Sequence, residues 1–349
     1  MTQPLCPLPA QPAGTDWPTD DWPVGSLPDG IKKTAFSELV NAAFDGDGNG
    51  DLGATHALLI VKDGRIVHER YAAPFDATQT FPSWSMAKSI THALTGLLAG
   101  DGRIDIRAPA DVPEWQTDGD PRRAITLDHL LRMSSGLDFQ EDYNPDHPSD
   151  VIEMLFGSGK DDVAHFAASF PLAHAPGSYW SYSSGTTNIV ARALSRALGG
   201  GPEDFEAFMR ARLFDPIGMR SPLPKFDKAG TFIGSSFCFA TARDFARFGL
   251  LYLRDGVWNG KRLLPKGWVD YARTATPQPT DTDSPLGYGA HWWLGMGGPH
   301  SFSANGYNGQ YTVIAPDIDL ILVRHGESEA VKDNVRQWIG AVIDCFRES

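Results

Sequence analysis

The sequence predicts an α+β fold, an antiparallel sheet flanked by helices and interrupted by an inserted, mostly helical lobe. Three observations predict it. Two apolar strands flank an Asp-Gly turn early in the chain, helical periodicity dominates from about residue 115 to 235, and consecutive strands with a final helix close the chain. Short links between sequential strands require antiparallel pairing, and there is neither an internal repeat nor a parallel doubly wound alternation.

Residues 1–30 carry seven prolines, with Trp17 and Trp22 among acidic residues, and are expected to wrap the surface as an extended arm. Ile31 to Phe44 reads as a helix. The following Asp45-Gly-Asp-Gly-Asn-Gly-Asp51 resembles a calcium loop, but its closing glutamate is missing, since position 56 is His56, and an Asp/Gly turn is the preferred reading. His56 to Val61 and Ile66 to Tyr71 are expected to pair as a hairpin across Lys62-Asp-Gly-Arg65. A helix from Met86 to Gly100 follows, with Met86, Ile90, Leu94, Leu97 and Leu98 at helical spacing. Gly102 to Pro113 has turn composition.

Thr126 can cap a helix over Leu127 to Met133, and Phe205, Phe208, Met209 and Leu213 form a second apolar stripe. Between them, Ser135 to Asp150 is polar, aromatic and broken by proline. Asp142, Asp146, His147 and Asp150 in this loop lack the spacing that would organise them as metal ligands, so a solvated loop is expected. Phe245, Phe248, Leu251 and Leu253 mark another helix. Strands are then expected over Tyr288 to Gly295, Ser301 to Ala304, Gln310 to Ala315 and Leu320 to Val323, the last two joined by Pro316-Asp-Ile-Asp. Val331, Val335, Trp338, Ile339, Val342 and Ile343 face one side of a closing helix. The predicted organisation is an arm over 1–30, an α/β lobe built from 31–113 and 236–349, and a helical lobe over 114–235.

The 349 residues are 42% hydrophobic and 11% aromatic, enough to bury a large core. A formal charge of −13 excludes nucleic acid and anionic membrane surfaces as expected partners, because both demand basic patches. Cys6, Cys238 and Cys345 stand far apart, which excludes a disulfide scaffold or zinc ribbon and leaves room for at most one bridge. The N-terminus has no basic start followed by an apolar run, and no segment approaches 18 consecutive apolar residues. A cytoplasmic, membrane-free protein is therefore expected.

The chemistry is expected at Phe81-Pro-Ser-Trp-Ser85-Met-Ala-Lys88. Of ten lysines, only Lys88 has a serine three residues before it, against roughly 0.7 such matches expected by chance. In the first turn of a helix these side chains share a face. A buried amine loses its proton more readily and can accept the proton of a hydroxyl, while the Ser85 backbone N–H can point at a developing oxyanion. The alternative is that Ser83 or Ser85 caps a helix and Lys88 snorkels to water.

Two further segments bear on that choice. Pro176-Gly-Ser-Tyr-Trp-Ser-Tyr182-Ser-Ser184 places a phenol and a hydroxyl before a helix, and Ala304-Asn-Gly306-Tyr307-Asn308-Gly309-Gln310 is a strand whose small residues would let a substrate lie along the backbone. In this order the three segments resemble the serine hydrolases of the β-lactamase and penicillin-binding-protein fold, from about Leu52 to the C-terminus. Within them they are most similar to class C β-lactamase-related esterases and to 6-aminohexanoate-dimer (nylon oligomer) hydrolases.

The resemblance implies Ser85 as nucleophile, with Lys88 and Tyr182 managing its proton. It implies the Ser85 and Tyr307 N–H groups as oxyanion donors, and Ser184, Gly306 and Asn308 as substrate contacts. The segment Met133-Ser-Ser-Gly-Leu-Asp-Phe-Gln-Glu-Asp-Tyr143 looks like that of the nylon oligomer hydrolases, where a tyrosine matching Tyr143 bonds the substrate amide; an ordinary loop tyrosine is the other reading. The sequence departs from the pattern twice. Ser184 stands where relatives with a Tyr-x-Asn triplet have asparagine, and Ala304 stands where β-lactamases have the lysine that attracts a β-lactam carboxylate. The expected activity is acyl transfer to water from small carboxylesters or linear amides, with neither metal nor organic cofactor. β-Lactam or D-amino-acid peptide hydrolysis is the alternative, and a non-catalytic ligand binder on the same fold is the rival from another class.

Overall fold

The computed structural model describes residues 4–45, 50–141, 149–277 and 287–347. Its centre is an antiparallel sheet in the order β2-β1-β11-β10-β9-β8, formed by β1 (Ala54–Lys62), β2 (Arg65–Tyr71), β8 (Trp293–Leu294), β9 (Phe302–Gly306), β10 (Gln310–Ala315) and β11 (Leu320–Glu327). The short pieces β3 (Thr80–Phe81), β4 (Leu223–Pro224) and β5 (Cys238–Thr241) make a second sheet, and β6 (Val257–Trp258) pairs with β7 (Lys261–Arg262). Asp63 and Gly64, both at positive φ, close the β1–β2 hairpin as the Asp-Gly pair demands.

Alternation along the strands separates two apolar layers. Ala57, Leu59 and Val61 of β1 and Ile321 and Val323 of β11 face one core, with α2 (Ala87–Gly100) and α8 (Ala242–Leu253). Leu58, Ile60, Leu320 and Leu322 face the other, covered by α1 (Lys33–Phe44) and α10 (Lys332–Asp344). With both faces covered, the central strands read as continuous apolar runs despite being antiparallel. The first core runs on into α3 (Leu127–Leu131), α4 (Asp150–Phe156), α5 (Val163–Ala168), α6 (Ser184–Leu198) and α7 (Pro202–Met209). Thr126 caps α3 in a reciprocal capping box with His129. Helix α2 lies inside this core, buried from Ala87 to Leu98 on every side, where sequence periodicity alone suggested one apolar face.

The N-terminal arm is held by arginines. Arg247 donates to the Pro18 and Asp20 carbonyls, Arg254 to Gln11 Oε1 and the Pro9 carbonyl, and Arg273 to the Cys6 carbonyl. An extended segment rich in proline makes few backbone hydrogen bonds of its own, and these side chains supply further donors to its carbonyls.

Several element boundaries differ from the expectation: α1 starts at Lys33, α3 ends at Leu131 because Met133 takes a left-handed φ of 59°, and β9 runs from Phe302 to Gly306. The strand expected over Tyr288 to Gly295 is limited to Trp293–Leu294, because His291 adopts a left-handed φ of 55° and turns the chain back on itself. Strand β11 runs four residues beyond Val323, since the buried Arg324 finds acceptors on Leu52, Ala54, Thr55, Gly309 and Ser328. The stripe ending at Leu213 is also not one helix: α7 stops at Met209 and a π-helical turn, Arg210–Phe214, carries Leu213 inward. No two of the three cysteines are bridged.

Candidate active site

Ser85 sits in a 3-10 turn, Trp84–Met86, that feeds directly into α2. Its predecessor Trp84 is held at φ 44°, a conformation that non-glycine residues reach only when the surroundings impose it. The restraint is local. Ser83 Oγ donates to the Ser236 carbonyl and accepts from the Cys238 N–H, both at 3.0 Å, which ties the turn to the segment entering β5. Ser85 is therefore presented at the mouth of a fixed turn, half-buried, and its N–H is among the first of the helical start, which lack an intrahelical acceptor.

Lys88 lies one turn on and is buried, so the alternative in which it snorkels to water does not hold. Its Nζ stands 3.0 Å from Ser85 Oγ, 2.9 Å from Ser184 Oγ and 3.1 Å from the Ser235 carbonyl oxygen. The Ser235 N–H in turn donates to Asn188 Oδ1, which fixes that carbonyl. Burial brings the Lys88 amine down to about 8, with Glu141 pulling the other way. An amine poised there is a competent base near neutral pH.

Tyr182 turns its ring toward Lys88, with Nζ 4.8 Å from the ring centroid. The ring is packed among Trp180, Tyr288 and Trp293. Met133, at φ 59°, accepts from the Ser181 N–H through its carbonyl and from the Ser183 N–H through its sulfur, which sets the backbone on both sides of Tyr182. Ser183 caps α6 through its Oγ, so Ser184 enters the site as the first residue of that helix.

Glu141 joins the site and was not singled out from the sequence. Its Oε1 accepts from Ser184 Oγ at 2.7 Å and its Oε2 from the Ser184 N–H. Burial raises its carboxyl above the ordinary range, opposed by the Lys88 charge. The only signal in the sequence was an acidic residue inside a segment already matched to relatives. Tyr143, Asp142, Asp146 and His147 lie outside the described residues, and Asp150 accepts from the Gln140 N–H at the start of α4.

The end of β9 closes the other side. Gly306 lies so near the Trp84–Met86 turn that a Cβ there would collide with the Ser83 carbonyl and stand 3.2 Å from Trp84 Cβ. Tyr307 is partly exposed and meets Trp84 edge to face at 5.5 Å. Asn308 is committed to structure: its Oδ1 accepts the Ser328 and Glu329 N–H groups at 2.8 and 3.1 Å. Ala304 is buried and provides no cation. Among the described residues no group of His, Cys, Asp and Glu side chains could hold a metal ion, and no helix is long and apolar enough to cross a membrane.

The profile of the family described as Beta-lactamase matches residues 52–337. The chain belongs to the beta-lactamase family. Among characterised members, it is 26% identical to a 6-aminohexanoate-dimer hydrolase of Paenarthrobacter ureafaciens over 304 residues, which span 82% of this chain and 75% of that one. It is 28% identical to esterase EstB of Burkholderia gladioli over 182 residues, 48% of this chain and 44% of the esterase. A solved structure of a putative 6-aminohexanoate-dimer hydrolase from Bacillus anthracis superposes with a TM-score of 0.74 at 21% identity, covering 97% of this chain and 89% of that one. A penicillin-binding-protein homologue from Caulobacter crescentus superposes with a TM-score of 0.69 at 18% identity, over 92% of this chain and 99% of that one. This beta-lactamase-family chain is thus a hydrolase on the β-lactamase and penicillin-binding-protein fold, related to amide and ester hydrolases.

Proposed function

We propose that the protein is a serine hydrolase that cleaves small carboxylesters and linear amides through an acyl-enzyme on Ser85. The observation that carries this reading is the 3.0 Å contact between Ser85 Oγ and a buried amine whose proton is held only to about pH 8.

Ser85 Oγ forms a bond to the substrate carbonyl carbon as its proton passes to Lys88. The carbonyl electrons move onto oxygen, where the N–H groups of Ser85 and Tyr307 receive the charge. As the tetrahedral species collapses, the bond to the alcohol or amine breaks and the proton leaves with that group by way of Tyr182. Water then adds to the acyl carbon, gives its proton to the same base, and releases the acid with Ser85 restored. The close approach of Gly306 to the Ser83–Trp84 backbone supports the pairing of the two oxyanion donors.

Ester and amide substrates are favoured over β-lactams because Ala304 leaves that part of β9 without the cation that would draw a carboxylate. The named relatives, a 6-aminohexanoate-dimer hydrolase and an esterase, point to the same two classes. A fluorophosphonate probe tests the nucleophile: labelling of the wild type and none of Ser85→Ala is expected, and equal labelling would sink the assignment. Parallel rates on p-nitrophenyl esters, 6-aminohexanoate dimer and nitrocefin test the substrate class, with nitrocefin expected to be slowest.

A further inference from the structure

We propose that Glu141 is a positioning residue that fixes the Ser184 hydroxyl as a hydrogen-bond acceptor toward Lys88, and whose charge raises the pH at which the site becomes active. The inference rests on the acyl-enzyme reading above and adds a regulatory component to it.

Lys88 Nζ has three oxygen neighbours, Ser85 Oγ, Ser184 Oγ and the Ser235 carbonyl. An ammonium can donate to all three. A neutral amine has two N–H groups and one lone pair, and only the orientation in which the lone pair faces Ser85 can accept the nucleophile's proton. The Ser235 carbonyl can only accept, so one N–H is assigned. Ser184 is ambiguous, because a hydroxyl either donates or accepts. Glu141 resolves it: the carboxylate takes the Ser184 Oγ–H at 2.7 Å, which turns the lone pairs of that oxygen toward Lys88. The second N–H then goes to Ser184, and the lone pair is left for Ser85.

The same carboxylate opposes the loss of the Lys88 proton. The other titratable groups facing the pair are Tyr182 from the segment before α6 and Tyr288 and His291 from the segment before β8. His291 packs its Nδ1 2.9 Å from the Lys88 carbonyl and its Nε2 3.1 Å from Thr187 Oγ1, and burial keeps it neutral down to about pH 3. Burial pushes the Tyr288 phenol well above its ordinary value. Neither carries charge between pH 5 and 8, so neither offsets the charge that an ionised Glu141 places beside Lys88.

Glu141→Gln keeps the shape and removes the charge. The acid limb of kcat/KM should move to lower pH, so that activity at pH 6, as a fraction of each enzyme's own plateau, rises about threefold or more. The plateau kcat should fall about tenfold as the Ser184 hydroxyl is freed to turn. Glu141→Asp draws the carboxylate back by one methylene and should shift the limb in the same direction by less, giving the order wild type, Asp, Gln. A loosened loop would lower the plateau without producing that graded order. Acid limbs that coincide, or move to higher pH, overturn the proposal. If the Gln variant fails to fold, the Asp variant decides on the same reading. Wild-type hydrolysis that persists in Ser85→Ala overturns both this proposal and the acyl-enzyme reading, whereas Ser85-dependent hydrolysis with coincident limbs overturns the role of Glu141 alone.

Discussion

Gly306 and Ser83 are packed backbone to backbone, with no room at the glycine for even a methyl group before the Ser83 carbonyl is struck. This joins the end of β9 to the turn that carries Ser85, the proposed nucleophile. The two proposed oxyanion donors, on Ser85 and Tyr307, each lie within two residues of that contact. Gly306→Ala must separate the strand from the turn. We expect kcat/KM for a p-nitrophenyl ester to fall by about 10²-fold or more, as when an oxyanion donor is lost. The melting temperature should change little, because the strain can be relieved at the end of β9. A glycine-like rate in the alanine variant would show that the separation of the two segments is not critical.

Lys88 gives a pH profile with a definite sign. As a base it works only when neutral, and its proton is held to about pH 8, so kcat/KM should rise with pH below about 8 and level off above it. Lys88→Arg should lose about three orders of magnitude or more at every pH, because a guanidinium stays protonated and cannot take the Ser85 proton. A rate that is flat from pH 6 to 9 in the wild type would remove Lys88 as the base.

How much of this was readable in the sequence depended on how local each relationship is. Ser85 and Lys88 are three residues apart across a 3-10 turn that runs directly into α2, so their contact follows from helical geometry. Ser184 was marked by its place after Tyr182. Glu141 was not readable, because an acidic residue in Gln-Glu-Asp looks like solvated loop, and its partner Ser184 is 43 residues away in sequence. For Asn308 the motif gave the position but not its direction, since its partners at 328 and 329 are about twenty residues away. The hairpins and the helix-flanked antiparallel sheet were legible because apolar runs and turn residues are short-range signals. The polar half of β11 was not. Arg324 and His325 break the apolar run, and the acceptors that make a buried guanidinium tolerable come from β1, from the 307–309 turn and from Ser328.

Buried histidines make stability fall in acid. His325 stacks on Phe81 with ring centroids 4.4 Å apart and bonds Gln310 Oε1 at 2.9 Å, and burial lowers its proton affinity to about 3, as it does for His291. Between pH 6.5 and 3 the unfolded chain binds these protons and the folded chain does not. Stability is therefore lost as pH falls through that window, by about 1.4 kcal/mol per histidine per pH unit once well below 6.5. Urea denaturation of the wild type should show this slope, and His325→Gln should reduce it by about one proton. An unchanged slope in the variant would mean that His325 does not contribute.

The last expectation concerns what lies beside Ser85. Trp84 contacts Tyr307 and Phe237, Phe237 contacts Phe156 and Phe239, and both Phe156 and Tyr307 are exposed. An exposed aromatic stripe that starts at the residue before Ser85 suits an extended apolar acyl chain, each buried methylene of which contributes about 0.8 kcal/mol. Across p-nitrophenyl acetate, butyrate and hexanoate, kcat/KM should therefore increase with chain length. Phe237→Ala should flatten that increase, costing hexanoate about tenfold while leaving acetate within about twofold, because acetate is too short to reach the ring. A uniform loss across the series would place the effect of Phe237 on the turn at Trp84, and no loss would remove the stripe from substrate binding.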